Sequence, residues 1–170
     1  MASNTTPRLT DRSLPEYRHI PGKTPHPTRS PQGHSYRLNP PENTPLPDLN
    51  RVVGSDGEDF LYGVDLFNER YWWECHEVME QFWHASGIGT PAGHVLQAII
   101  QCAAAHLKFT TGHPAGAMKL FVMAEGHVHQ AEGTELDLDL AGLLAETRTF
   151  ITGDSTVPAR LLRSGTKESD

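Results

Sequence analysis

Residues 71–83 read Tyr-Trp-Trp-Glu-Cys-His-Glu-Val-Met-Glu-Gln-Phe-Trp. Turned at about 100° per residue, Tyr71, Trp72, Cys75, Val78, Met79 and Phe82 fall on one broad apolar face. The opposite arc, roughly 120° wide, carries Trp83, His76, Glu80, Trp73, His84 and Glu77, with Glu74 and Gln81 just beyond it. That division predicts an amphipathic helix over 71–85, apolar side on a core.

The flanking segments repeat the pattern. Phe60, Val64 and Phe67 stand at helical spacing within 59–70, and a break near 68–70 separates that helix from the next. Residues 86–91 read Ser-Gly-Ile-Gly-Thr-Pro, a loop with Pro91 at the start of the following helix. The stretch 92–110 is the most apolar, and Gly112 ends it. Pro114 opens a fourth helix that runs to about 132 and stops at Gly133. Asp137 and Asp139 read as acids at a helix start. Leu136, Leu140, Leu143, Leu144 and Phe150 then predict a last helix over about 138–151. Short loops and no β alternation give an all-α fold: a compact antiparallel bundle of four to five helices with a Pro-rich, extended N-terminal arm.

That arm is residues 1–55, the bundle 56–152, and a polar tail 153–170, expected to fray. Ten prolines between 7 and 47 exclude a helix or central strand from the arm. Its His19, His26 and His34, its Tyr17 and Tyr36 and its turn signals leave two outcomes, plain disorder or ordered coil wrapped on the bundle. Arg8, Arg12, Arg18, Lys23, Arg29 and Arg37 make it basic while the remainder is acidic, which favours docking on its own domain.

The net charge of −7 over 170 residues disfavours DNA or an anionic membrane as the main partner, since both need clustered Lys and Arg. RNA binding through the arm is the weakest of the readings considered. Cys75 and Cys102 sit in apolar helical patterns and read as buried thiols. No apolar run approaches the roughly 20 residues of a membrane span, and the N-terminus lacks the apolar region of a signal peptide. A cytoplasmic protein is expected. Ten histidines are the compositional feature that hints at chemistry.

Three features set the polar face of 71–83 apart from a solvated one. It lacks Lys and Arg, it interleaves Trp73 and Trp83, and it places His76 and Glu80 at i, i+4, where both could reach one ion. On the next helix His94, Gln97, Gln101 and Lys108 make a narrow polar stripe. Facing His76, Glu77 and Glu80, it would close a polar pocket. The sharp reading is a divalent-metal site (zinc, iron or manganese) of a small hydrolase-like enzyme acting on a small-molecule substrate. His76, Glu80 and His94 or an arm histidine would be ligands, Glu77 the general base, and Gln97 and Gln101 would orient substrate or water. The bland reading is a buried hydrogen-bond network in a non-catalytic oligomeric or adaptor protein. His76-Glu77-x-x-Glu80 departs from the zincin motif HExxH at its last position, and no Glu-x-x-His of the di-iron bundles occurs on the helices. Glu125 and His129, also at i, i+4, read as a surface or interface pair.

Taken in order, LFNERYWWECHEVMEQFW, LQAIIQCAAAHLK and TGHPAGAMKL resemble the prokaryotic domain of unknown function 309 family. The matching positions are Phe67, Asn68, Trp73, Glu74, His76, Glu77, Glu80, Trp83, Gln97, Gln101, Gly112, Pro114, Gly116 and Ala117. Glu69 and Ala98 depart from the family pattern, and neither touches the polar cluster. The resemblance covers about 58–150. It implies a small helical bundle, often a homo-oligomer, and no established activity.

Overall fold

The computed structural model describes residues 7–37 and 57–165. Arm residues 1–6 and 38–55 lie outside them. The bundle consists of α1 (Glu58–Asn68), α2 (Trp72–Ser86), α3 (Pro91–Thr110), α4 (Pro114–Gln130) and α5 (Leu140–Ile151). Among the described residues there is no strand, only an isolated antiparallel bridge between Leu138 and Arg163. No described helix is long and apolar enough to cross a membrane.

Helix boundaries follow the local chemistry. α3 starts at Pro91, where the missing N–H costs nothing, and the Thr90 hydroxyl accepts from the Gly93 amide at 3.0 Å. It ends in a left-handed Gly112 (φ 83°), with Gly112 N–H bonded to Phe109 O and His113 N–H to Lys108 O. α1 ends by the same motif, Arg70 N–H to Phe67 O and Tyr71 N–H to Leu66 O, but with Arg70 at φ 66° where glycine is usual. Asp139 caps α5 by accepting from Gly142 N–H at 2.8 Å.

α3 is the central helix, packed against α2, α4 and α5, while α1 packs on α2. Phe60 near the start of α1 meets Phe82 near the end of α2, so that pair runs antiparallel. The α1–α2 approach is close: a Cβ on Gly63 would stand 2.7 Å from the Met79 methyl. Phe60, Val64 and Phe67 of α1, Cys75, Met79 and Phe82 of α2, and Val95, Leu96 and Ile99 of α3 form the main core. Cys75 and Cys102 are buried free thiols, and burial pushes the Cys102 thiol up to about 12.

The tail departs from expectation. Residues 153–165 pack on the bundle, with Ala159 and Leu161 buried. The Asn68 side chain fastens it twice, accepting from Leu161 N–H at 2.7 Å and donating to Leu161 O at 3.0 Å. Glu146 takes the Arg160 amide, and His106 takes the Ala159 amide. Much of the backbone of the segment is thus held by side chains of the bundle.

Candidate functional site

α2 presents two different surfaces. On the first, His76, Glu77 and Glu80 offer ligand atoms that all lie within 4.8 Å of one another. His76 Nδ1 is 3.3 Å from Glu77 Oε1, and Nε2 is 4.0 Å from Glu80 Oε2. Their side chains are 31 %, 43 % and 40 % exposed, so the group is open to small solutes. The His76 Nδ1 atom itself is buried and makes no hydrogen bond of normal geometry, so the contact with Glu77 is one of charge and proximity. The Glu77 carboxylate, and then that of Glu80, raise the His76 pKa against the opposing effect of burial. The set offers one imidazole and two carboxylates, a mixed N/O donor group.

The second surface lies under the arm. Residues 7–37 lie on α1 and α2. Leu9 N–H and Thr10 N–H donate to the two carboxylate oxygens of buried Asp65 at 2.7 and 2.9 Å. Arg12 pairs with Asp59 at 2.5 Å and lies 4.0 Å from the Tyr62 ring centroid. Tyr62 and Tyr71 donate to the carbonyls of Ser13 and Pro15. Further along, Glu74 Oε1 accepts from His19 N–H at 2.8 Å and pairs with His34 Nε2 at 2.9 Å. The His34 and Glu74 side chains are each only 5 % exposed. His34 Nε2 carries the hydrogen in this contact, and its Nδ1 lies 2.8 Å from the Ser35 hydroxyl. Glu74 Oε2 is buried with no protein partner. Beside it, the His19 and His26 rings stand edge-on to Trp73 at 4.9 and 5.4 Å. Burial and the neighbouring His26 lower the His19 pKa.

Trp73 joins the two surfaces. It lies one turn before His76 and Glu77 on α2. The arm thereby reaches Trp73 without supplying a ligand atom to the open group: the metal-capable group among the described residues is His76, Glu77 and Glu80.

Residues 60–120 match the family model of DUF309, a domain of unknown function. Over that segment the chain is similar to the DUF309 family, which supports the resemblance read from its motifs. No curated protein and no solved structure matches the chain. Within the DUF309 segment the motif positions divide by what they touch. Asn68 holds the tail and Glu74 holds the arm. Gly112 makes the left-handed turn. His76, Glu77 and Glu80 are left facing solvent.

The polar stripe of α3 has its own partners. His94 Nδ1 meets His127 Nδ1 of α4 at 3.0 Å. Gln101 Nε2 reaches Gln97 Oε1 at 3.5 Å, a long contact. Among the described residues no hydrogen bond joins His94, Gln97 or Gln101 to His76, Glu77 or Glu80. Sequence reasoning overlooked His106, which is fully buried, donates from Nδ1 to Cys102 O at 2.7 Å and accepts the Ala159 amide on Nε2 at 3.1 Å. It stacks on Phe150 and touches Phe67 and Trp72, and burial lowers its pKa to about 4. It is a core residue that joins α3 to the tail.

Proposed function

We propose that the open face of α2 binds one divalent metal ion through His76, Glu77 and Glu80, and that the bound ion activates water for hydrolysis of a small-molecule substrate. The observation that carries this reading is the convergence of three ligand atoms, one imidazole nitrogen and two carboxylate oxygens, within 4.8 Å on a half-exposed helix face. A single helix supplies at most part of a coordination sphere, so positions remain for water and substrate, as hydrolytic chemistry requires. Zinc, iron or manganese all accept such a donor set. Glu77 is 3.3 Å from His76, close enough to act either as the third ligand or as base to a bound water. Gln97 and Gln101 remain candidates for holding substrate from α3.

The alternative, a non-catalytic oligomeric or adaptor protein, is favoured by one feature: Glu74, a carboxylate of the same helix, serves to hold the arm. The two readings separate in a metal analysis of tag-free protein. One ion per chain, lost in His76→Asn and in Glu80→Gln with the fold intact, supports the metal site. Absence of bound metal together with no thermal stabilisation by added zinc or manganese would remove it.

A further inference from the structure

A second histidine pair lies on other elements of the bundle. His94 stands near the start of α3 and His127 near the end of α4, and their Nδ1 atoms are 3.0 Å apart. Both side chains are half-buried, so solvent reaches them. The ring planes are inclined by 35° with centroids 5.3 Å apart. That separation exceeds the nitrogen separation by about two ring radii, so the two Nδ1 atoms point at one another. One therefore carries a hydrogen and the other accepts it. Burial, together with the facing His94, lowers the His127 pKa.

The same spacing suits two ligands on one ion. At metal–nitrogen lengths of ~2.0–2.1 Å, nitrogens 3.0 Å apart subtend about 94° at the ion. That is the cis angle of a square-planar or octahedral ion, not the wider tetrahedral one. Imidazole suits late first-row metals, and copper(II) and nickel(II) favour tetragonal geometry. The spacing of the helices does not depend on the pair. Ala98 and Ala105 of α3 and Ala117 and Ala124 of α4 are all fully buried, which permits the close approach of these two helices.

We propose that His94 and His127 form a two-imidazole site for a late first-row divalent cation of square or octahedral preference, nickel(II) or copper(II), with water in the remaining positions. One ring gives up its Nδ1 hydrogen to solvent and takes one on Nε2, so both rings stay neutral and each presents a bare Nδ1. No proton is gained or lost overall. Because the nitrogens start head-on, each ring must swing by about 43° before both Nδ1 lone pairs meet at the ion. The site is independent of the α2 group and stands whether or not that group binds metal.

The test is calorimetric titration of nickel(II) into tag-free, full-length protein at neutral pH. The expected result is one ion whose affinity falls in His94→Asn and in His127→Asn, and is unchanged in His76→Ala. Removing a direct ligand should cost at least the roughly tenfold that losing a supporting hydrogen bond costs. Circular dichroism melts show whether each variant is folded. If one is not, the other carries the same comparison. Pulsed EPR of copper(II)-loaded wild type adds a count of coordinated imidazoles, expected to be two. Absence of nickel binding, equal affinity in the wild type and a folded asparagine variant, or loss of binding in His76→Ala would overturn the proposal.

Discussion

Glu74 and Glu80 are the same residue type, six positions apart on one helix, and their surroundings differ in almost every respect. Glu74 is nearly enclosed, takes an amide and an imidazole from the arm on one oxygen, and leaves the other oxygen buried. Glu80 is 40 % exposed and, among the described residues, has only His76 within ion-pair distance. Desolvating a carboxylate costs free energy that its hydrogen bonds must offset, so a buried one is committed to its partners. A half-exposed carboxylate remains free to bind what arrives from solvent. The comparison separates a fastening carboxylate from one left open to solvent along one helix.

The largest effect should come from removing the fastening. Glu74→Ala strands His34 and the His19 amide, and each buried donor left unsatisfied costs roughly 1–3 kcal/mol. We expect it as released hydrogen-exchange protection at the His19 amide and cleavage of the arm by added protease. If Glu80→Ala released the arm equally, the distinction between the two carboxylates would be lost.

Two imidazoles sharpen the same contrast between enclosed and open groups. His106 has its folded pKa lowered to about 4, against 6.5 when unfolded. Its contribution is complete above 6.5 and is lost as pH falls toward 4, because the unfolded chain takes the proton first; the gap is worth roughly 3 kcal/mol. His76 is shifted the other way, so its smaller contribution is present at low pH and lost as pH rises through its folded pKa. Chemical denaturation across pH 4 to 7 should show the acid loss in the wild type and a flatter profile in His106→Gln. An equally steep profile in that variant would assign the loss to other groups.

Gly33→Ala probes the arm without touching α2. A Cβ there would collide with the backbone oxygens of Pro27 and His26. Overpacking against backbone predicts a loss of about 2 kcal/mol in arm docking, again read by hydrogen exchange, with the helices unchanged. The smallest effect is expected for Glu77→Gln and Glu80→Gln, which should alter melting stability by less than ~0.5 kcal/mol. A large loss in either would make that carboxylate structural.

Most of the bundle was legible because its signals are local. The helical spacing of Phe60, Val64 and Phe67, the Pro91 start and the Gly112 stop each act within a few residues, and all five helices lie within a few residues of their expected bounds. What the sequence hid depends on distant partners. Glu74 sits at the edge of the apolar face, and its burial is decided by His19 and His34, 55 and 40 residues earlier. Tail residues 153–165 read as polar, yet their backbone is held by Asn68, His106 and Glu146. His94 was legible as a candidate ligand, but the partner across the helix seam, His127, could not be read from the spacing along either helix. Within the site, His76, Glu77 and Glu80 share a face by their spacing alone, so helix geometry brings those three together.

Binding of zinc by the His127→Asn protein, compared with His127→Asn combined with Glu80→Gln, tests the central claim most directly, because only the α2 group is then in question. One zinc per chain in the first, and at least a roughly tenfold weaker affinity in the second, is the predicted result. Equal affinity in the two proteins, or no zinc in either, would contradict it.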